Sequence, residues 1–188
     1  MSVLILALSG SLRGQSYNSA LARAAVELVP AGVDIELFDG LGDLPLYDAD
    51  LDGEGDEEHG AVRHLRERIA AADALFVVTP EYNGSVSGVL KNAIDWASRP
   101  PGGGAVLWGK TAAIAGATTG QYGAILAQQD LRRILGIAGA RVVEGDLPVA
   151  RAQNVIDETG ELRDPLVAER LRRHLEALVH EAAIPVAA

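Results

Sequence analysis

Short apolar runs alternate along the chain with longer stretches in which apolar residues recur every three or four positions. That is the pattern of repeated strand–helix units around a parallel sheet. Five runs read as strands: Val3 to Leu8, Val33 to Phe38, Ala74 to Thr79, Thr111 to Ala117 and a weaker Arg141 to Val143. Their near-continuous apolarity suits strands covered on both faces. Between them Leu21, Ala25 and Leu28 share one helical face, as do Val62, Leu65 and Ile69, then Val89, Ala93 and Ile94, then Leu131, Ile134 and Leu135. A last, highly charged helix around Leu166 to Leu178 offers one face for packing. The Gly-rich, acidic stretch Asp39 to Asp56 reads as a long loop and Pro100 to Gly104 as a shorter breaker. With no internal repeat and no linker, residues 1–188 read as a single domain.

Right-handed crossovers and strand adjacency favour a doubly wound, five-stranded parallel sheet of order 2-1-3-4-5. Ligands bind such sheets outside the carboxyl ends of the strands, at the switch point between strands one and three. Chemistry is therefore expected in the loops after strands one, three and four.

Composition removes several alternatives. No cysteine is present, which excludes disulfides, thiolate nucleophiles, iron–sulfur clusters and cysteine–zinc sites, so redox work needs a bound organic cofactor. Sixteen basic against twenty-six acidic residues give a formal charge of −10, with no basic stripe for nucleic acid. No apolar run approaches the ~20 residues of a membrane span, and Ser2 to Leu8 follows the start without a charged leader. A cytoplasmic protein is expected. His59, His64, His174 and His180 are spaced wrongly for a metal pair on one helical face and read as surface residues.

The loop after strand one, Ser9-Gly10-Ser11-Leu12-Arg13-Gly14-Gln15-Ser16-Tyr17-Asn18, brings hydroxyls and Arg13 to a helix N-terminus, an arrangement suited to a phosphate. It has neither a Walker ending nor the G-x-G-x-x-G pattern. Equally, Ser, Gly and Asn serve simply to turn and cap. After strand three, Thr79-Pro80-Glu81-Tyr82-Asn83-Gly84-Ser85 makes a tight turn with outward-pointing amides. Such amides hydrogen-bond the polar edge of a flat heterocycle while Tyr82 covers a face; the plainer reading is a turn with Tyr82 at the surface. After strand four, Gly116-Ala117-Thr118-Thr119-Gly120-Gln121-Tyr122-Gly123 permits close backbone approach. This too reads as a turn and cap when taken alone; the topology brings all three loops to one crevice.

The segments Gly10-Ser-Leu-Arg-Gly-Gln-Ser-Tyr-Asn18, Pro80-Glu-Tyr-Asn-Gly-Ser85 and Gly88-Val-Leu-Lys-Asn-Ala-Ile-Asp-Trp96 resemble the NADPH-dependent FMN reductase family, flavodoxin-like enzymes that include quinone, chromate and azo-dye reductases. The resemblance covers almost the whole chain. It implies FMN as cofactor, NADPH or NADH as co-substrate and small-molecule electron acceptors. By it, Ser11, Arg13, Ser16, Tyr17 and Asn18 match the phosphate loop, Pro80, Glu81, Tyr82, Asn83 and Gly84 the segment along the isoalloxazine ring, and Thr118 and Gly120 the third loop. It also implies homodimers, often paired into tetramers; the apolar Leu44-Pro45-Leu46-Tyr47, otherwise exposed in its loop, points the same way. Ser87 departs from the family's common Pro, and Thr118 to Tyr122 from its usual Ser and Pro-Gly.

The cofactor carries the hydride chemistry, so no catalytic side chain is expected; backbone amides of Asn83 and Gly84 are the candidates near flavin N5, with the third loop by the pyrimidine edge. A flavodoxin-type electron carrier is the alternative, and the acidic charge suits docking to basic partners. A flavin-free regulatory domain is a third reading.

Overall fold

A computed structural model describes residues 2–52, 59–100 and 102–184. Residues 53–56 of the expected acidic loop and Pro101 of the second breaker lie outside them. Five parallel strands, β1 (Val3–Ser9), β2 (Val33–Phe38), β3 (Ala74–Val78), β4 (Thr111–Ala117) and β5 (Arg141–Val142), stand in the order β2-β1-β3-β4-β5. The expected topology is thus observed.

The strand count is a correction. A sixth strand, β6 (Leu147–Val149), pairs with the carboxyl end of β4 while β5 pairs with its start. The edge beside β4 is therefore shared by two short strands separated by residues 143–146, where Gly145 takes a φ of +82°, and the second lies beyond the expected fifth run. Pro148 sits in β6, which an edge strand tolerates because one side of its ladder is unused.

Alternate residues of each central strand feed two cores. Leu6, Leu8, Leu75, Val77 and Ile114 face α2 (Gly60–Ala71), α3 (Gly88–Ala97) and α4 (Ile125–Ile137). Ile5, Ala7, Phe76, Val78 and Ala115 face α1 (Tyr17–Leu28) and α5 (Pro165–Ala182). Burial on both faces is why the strands are apolar throughout. The helical stripes are as expected except that Leu28, Val89 and Ile134 are only half-buried, and Leu90, Trp96 and Ala97 complete the buried face of α3.

The stretch 39–52 is more ordered than a plain loop, with 3-10 turns at Gly40–Asp43 and Ala49–Leu51. Of its apolar residues Leu41 and Leu44 are buried and Tyr47 packs on the core, whereas Leu46 and Leu51 stand out in solvent. Asn92 and Trp96 of α3 hold the segment. The Asn92 side chain accepts from Tyr47 N (2.8 Å) and donates to Pro45 O (2.8 Å), and the Trp96 indole donates to the same carbonyl (2.8 Å). This segment therefore loses most of its force as a sign of oligomerisation.

One histidine overturns the surface expectation. His174, in α5, is buried, and its Nε2 lies 2.9 Å from Ile114 O, between the β4 residues paired to β5 and those paired to β6. The carbonyl partner requires the ring N–H at Nε2. Burial pushes the His174 pKa down, against the opposing pull of the Ile114 carbonyl and Asp146. A lowered folded-state pKa means that the unfolded chain binds the proton more readily, so stability is complete above the ordinary histidine pKa of about 6.5 and declines as pH falls through it. Denaturation from pH 8 to pH 5 should show that decline in the native protein and a flatter profile in His174→Gln. Equal slopes would remove His174 as its source.

Candidate functional site

Each of the three strand ends that the topology gathers leaves backbone amides without protein acceptors among the described residues. In the first loop Gly10 N donates to Val78 O (2.8 Å), stitching β1 to β3. A Cβ on Gly10 would meet Ser87 Oγ at 2.8 Å, so α3 packs directly on the loop. Ser16 caps α1, accepting from Asn18 N (3.2 Å) and Ser19 N (3.3 Å). The Asn18 side chain pairs with both sides of Ala117, donating to its carbonyl (3.0 Å) and accepting from its amide (2.9 Å). Asn18 thus contributes by fastening the first loop to the end of β4, with its amide already committed.

The amides of residues 11–17 donate to no protein acceptor among the described residues. A run of free N–H groups ending at a helix N-terminus is a nest for an anion. Arg13 is exposed beside it and donates from Nη2 to Gln15 O (3.1 Å).

In the second loop Tyr82 and Ser85 exchange backbone hydrogen bonds of 3.0 and 3.2 Å around Asn83 and Gly84, whose φ values of 53° and 76° make a type I′ turn. The Asn83 and Gly84 amides are left facing outward, with Tyr82 about half exposed. Pro80 is buried behind them. The Glu81 side chain reaches α4: its Oε2 accepts from Leu126 N (3.0 Å) and Ala127 N (3.2 Å). It thereby caps α4, whose own N-cap residue, Ala124, has no side-chain acceptor to offer. Ser85 Oγ donates to Asp130 of α4, and this bond, with Arg133 second, holds the Asp130 carboxyl below its usual range. The second and third loops are fastened together in this way.

In the third loop Thr118 N donates to Val149 O (3.1 Å), Ala152 N to Thr118 O (2.9 Å) and Arg151 N to Gly120 O (2.9 Å). The chain after β6 thus props the loop, leaving the amides of residues 119–124 without protein acceptors. Among the described residues the non-glycine positions with left-handed backbone are Asn83, Ala124 and Arg151, and all lie in this neighbourhood. Strained backbone held by its surroundings marks a site shaped for a purpose. Ser87, standing where proline is common, is the N-cap of α3, and its buried Oγ has no partner.

Two clefts flank the first loop. One of about 430 Å³ lies between α1 and the Asp157–Gly160 turn, the other of about 330 Å³ between α1 and the end of β2; Arg13, Gly14 and Arg23 border both. Sequence reasoning passed over Arg23 and Arg151, which lie outside every recognised motif. It quoted Asn92 and Trp96 without a role, although a polar amide and an indole on the buried side of an amphipathic helix are a signal that something is being held. No metal-binding group of carboxylates or histidines occurs among the described residues.

The family model described as NADPH-dependent FMN reductase matches residues 3–154. An NAD(P)H-dependent FMN reductase of Pseudomonas aeruginosa is 46% identical over 177 residues, covering 94% of this chain and 93% of that protein. A 2-hydroxy-1,4-benzoquinone reductase of a Burkholderia species is 37% identical, covering 97% and 96%. Among solved structures, the flavoenzyme NAD(P)H:(acceptor) oxidoreductase FerB of Paracoccus denitrificans superposes with a TM-score of 0.81 at 34% identity, covering 96% of this chain and 97% of that one.

Proposed function

Since the chain belongs to the NADPH-dependent FMN reductase family, we propose that it is an FMN-dependent NAD(P)H oxidoreductase that reduces quinone-like or other small acceptors, with the flavin held across the three loops. The free amides of residues 11–17 carry the assignment. They offer a phosphate several donors and the positive end of α1, which offsets the repulsion expected from a chain of net charge −10. FMN, when bound, supplies the hydride chemistry between nicotinamide and acceptor.

The chain's own residues position and polarise. Ser11, Arg13, Ser16 and Tyr17 would surround the phosphate, and Asn18 holds their loop to β4. Pro80, Glu81, Tyr82, Asn83 and Gly84 would border the ring, with the turn amides as donors to its reactive edge, while the Glu81 carboxylate also fixes that turn against α4. Thr118 and Gly120 would border the pyrimidine edge, where the amides of residues 119–124, free of protein acceptors, would stabilise negative charge. No side-chain acid or base is required.

Homodimers or tetramers are part of the proposal, supported by exposed apolar side chains at Trp108, Tyr122, Leu126 and Ile137. No helix among the described residues is long and apolar enough to cross a membrane. A reaction fed by NAD(P)H belongs with the pool of that co-substrate, so the cytoplasm is the proposed location.

The test is anaerobic. Adding NADPH or NADH to the FMN-loaded protein should bleach the flavin at least as fast as turnover, and double-reciprocal plots against the nicotinamide at several quinone concentrations should be parallel, the mark of alternating substrates. If the flavin stays yellow with NAD(P)H alone yet bleaches once a reductase protein is added, the chain is an electron carrier.

A further inference from the structure

The larger cleft shares Arg13, Ser16 and Tyr17 with the proposed phosphate site and continues past it, along Ala20 and Arg23, to a wall that the flavin site as described does not use. Ser16, Ala20 and Arg23 line it from α1 at positions i, i+4 and i+7, which share one helical face. The Asp157–Gly160 turn forms the opposite wall. Its shape is set locally: the Asp157 carboxylate accepts from Thr159 N (2.9 Å), Thr159 Oγ1 (2.6 Å), Glu161 N (3.0 Å) and Arg163 Nε (2.6 Å). That charge is spent within the turn, and Gly160 closes it with a φ of +85°. A Cβ on Gly160 would lie 3.1 Å from Arg23 Nη2, so the guanidinium occupies the space that a glycine leaves.

Arg23 is also unusual in being unspent. Among the described residues it and Arg151 are the arginine and lysine side chains that have no hydrogen bond, ion pair or ring contact; the others are all engaged. Arg151 borders none of the clefts, whereas Arg23 borders two. In a chain of net charge −10, an unpaired guanidinium in a concave, polar cleft is a receptor for an anion.

The cleft is continuous with the first loop through Arg13, Gln15, Ser16 and Tyr17. A nicotinamide dinucleotide carries a second nucleotide that FMN lacks. With its nicotinamide on the ring and its chain alongside the flavin's own, that second nucleotide would reach past the phosphate loop, where this cleft adjoins residues 13–17. We propose that this cleft receives the adenosine end of the co-substrate and that Arg23 binds the 2′-phosphate of NADPH, making it the residue that prefers NADPH to NADH. The inference rests on the reading of NAD(P)H as co-substrate. A cleft of this volume suits a nucleotide moiety, and an arginine fork matches a phosphate monoester.

Two measurements test it on the FMN-loaded protein. In steady-state kinetics Arg23→Ala should raise KM for NADPH about tenfold, the scale of one charge-assisted hydrogen bond at an exposed site, and leave KM for NADH in place. Arg23→Lys should recover part of the loss, because the charge is kept and the fork is not. In calorimetry the native protein should bind 2′,5′-ADP more tightly than 5′-AMP, and Arg23→Ala should erase that difference. Equal losses for both dinucleotides, an unmoved NADPH KM, or native protein that does not distinguish 2′,5′-ADP from 5′-AMP would each overturn the assignment. Protein that oxidises neither dinucleotide would instead overturn the enzymatic reading, while the calorimetry still decides the role of Arg23.

Discussion

Trp96→Ala is expected to lower the free energy of unfolding by about 3–5 kcal/mol, the range for removing a large aromatic side chain from a packed core. Trp96 is among the largest fully buried side chains, 1% exposed, with the Tyr47 ring edge-on at 4.9 Å and the Arg66 guanidinium 5.9 Å from its ring. Its indole N–H is one of two side-chain donors to Pro45 O. Truncation leaves both a cavity under the 44–47 segment and a weakened anchor for it. Against a total stability of about 5–15 kcal/mol, that is a large share of the margin. Trp96→Phe separates the two effects, since it keeps most of the volume and loses the hydrogen bond, a change of about 1–2 kcal/mol. Urea denaturation reads both. The account fails if the alanine variant is no less stable than the phenylalanine one.

The second large effect is at Gly123, where the backbone conformation and the close packing work together. Its φ is +59°, and an added Cβ would lie 2.7 Å from Val149 N and 2.8 Å from Pro148 C, both backbone atoms of β6 that have no rotamer to escape by. Gly145 has the same left-handed backbone, φ +82°, with open space around its would-be Cβ. Gly145→Ala should therefore cost only the conformational strain, about 1 kcal/mol. Gly123→Ala adds an overpacking clash and should cost about 3 kcal/mol or more. It should also weaken FMN binding, because β6 props the third loop through Thr118 and Val149. Denaturation midpoints and FMN titration of the two variants side by side decide the matter; equal destabilisation would show that strain alone is at work.

Much of the architecture is written in local chemistry. The apolar runs of β1, β3 and β4 declare strands covered twice, because every residue on either face meets a helix. The Asn83–Gly84 pair declares its turn, since a type I′ turn needs two residues that accept positive φ. Placing the three polar loops at one crevice followed from the handedness of the crossovers, which is the same in nearly every parallel sheet.

What the sequence left open is which polar groups meet across long separations. Glu81 reads locally as part of a ligand-binding turn, yet its carboxylate caps a helix that begins more than forty residues later. Asn18 reads as a phosphate-loop residue, yet its amide is committed to Ala117. His174 looks like one charged-helix residue among many until α5 is laid on the sheet and its ring meets Ile114 O. β6 is three residues long and contains a proline, so no local signal exceeds that of a loop, and only the unpaired carboxyl end of β4 makes it a strand. Hydrophobic period and turn chemistry are properties of neighbouring residues and survive in the sequence. A hydrogen-bond partner across the fold is chosen by which donors and acceptors packing strips of water together, and that exists only once the tertiary structure has formed.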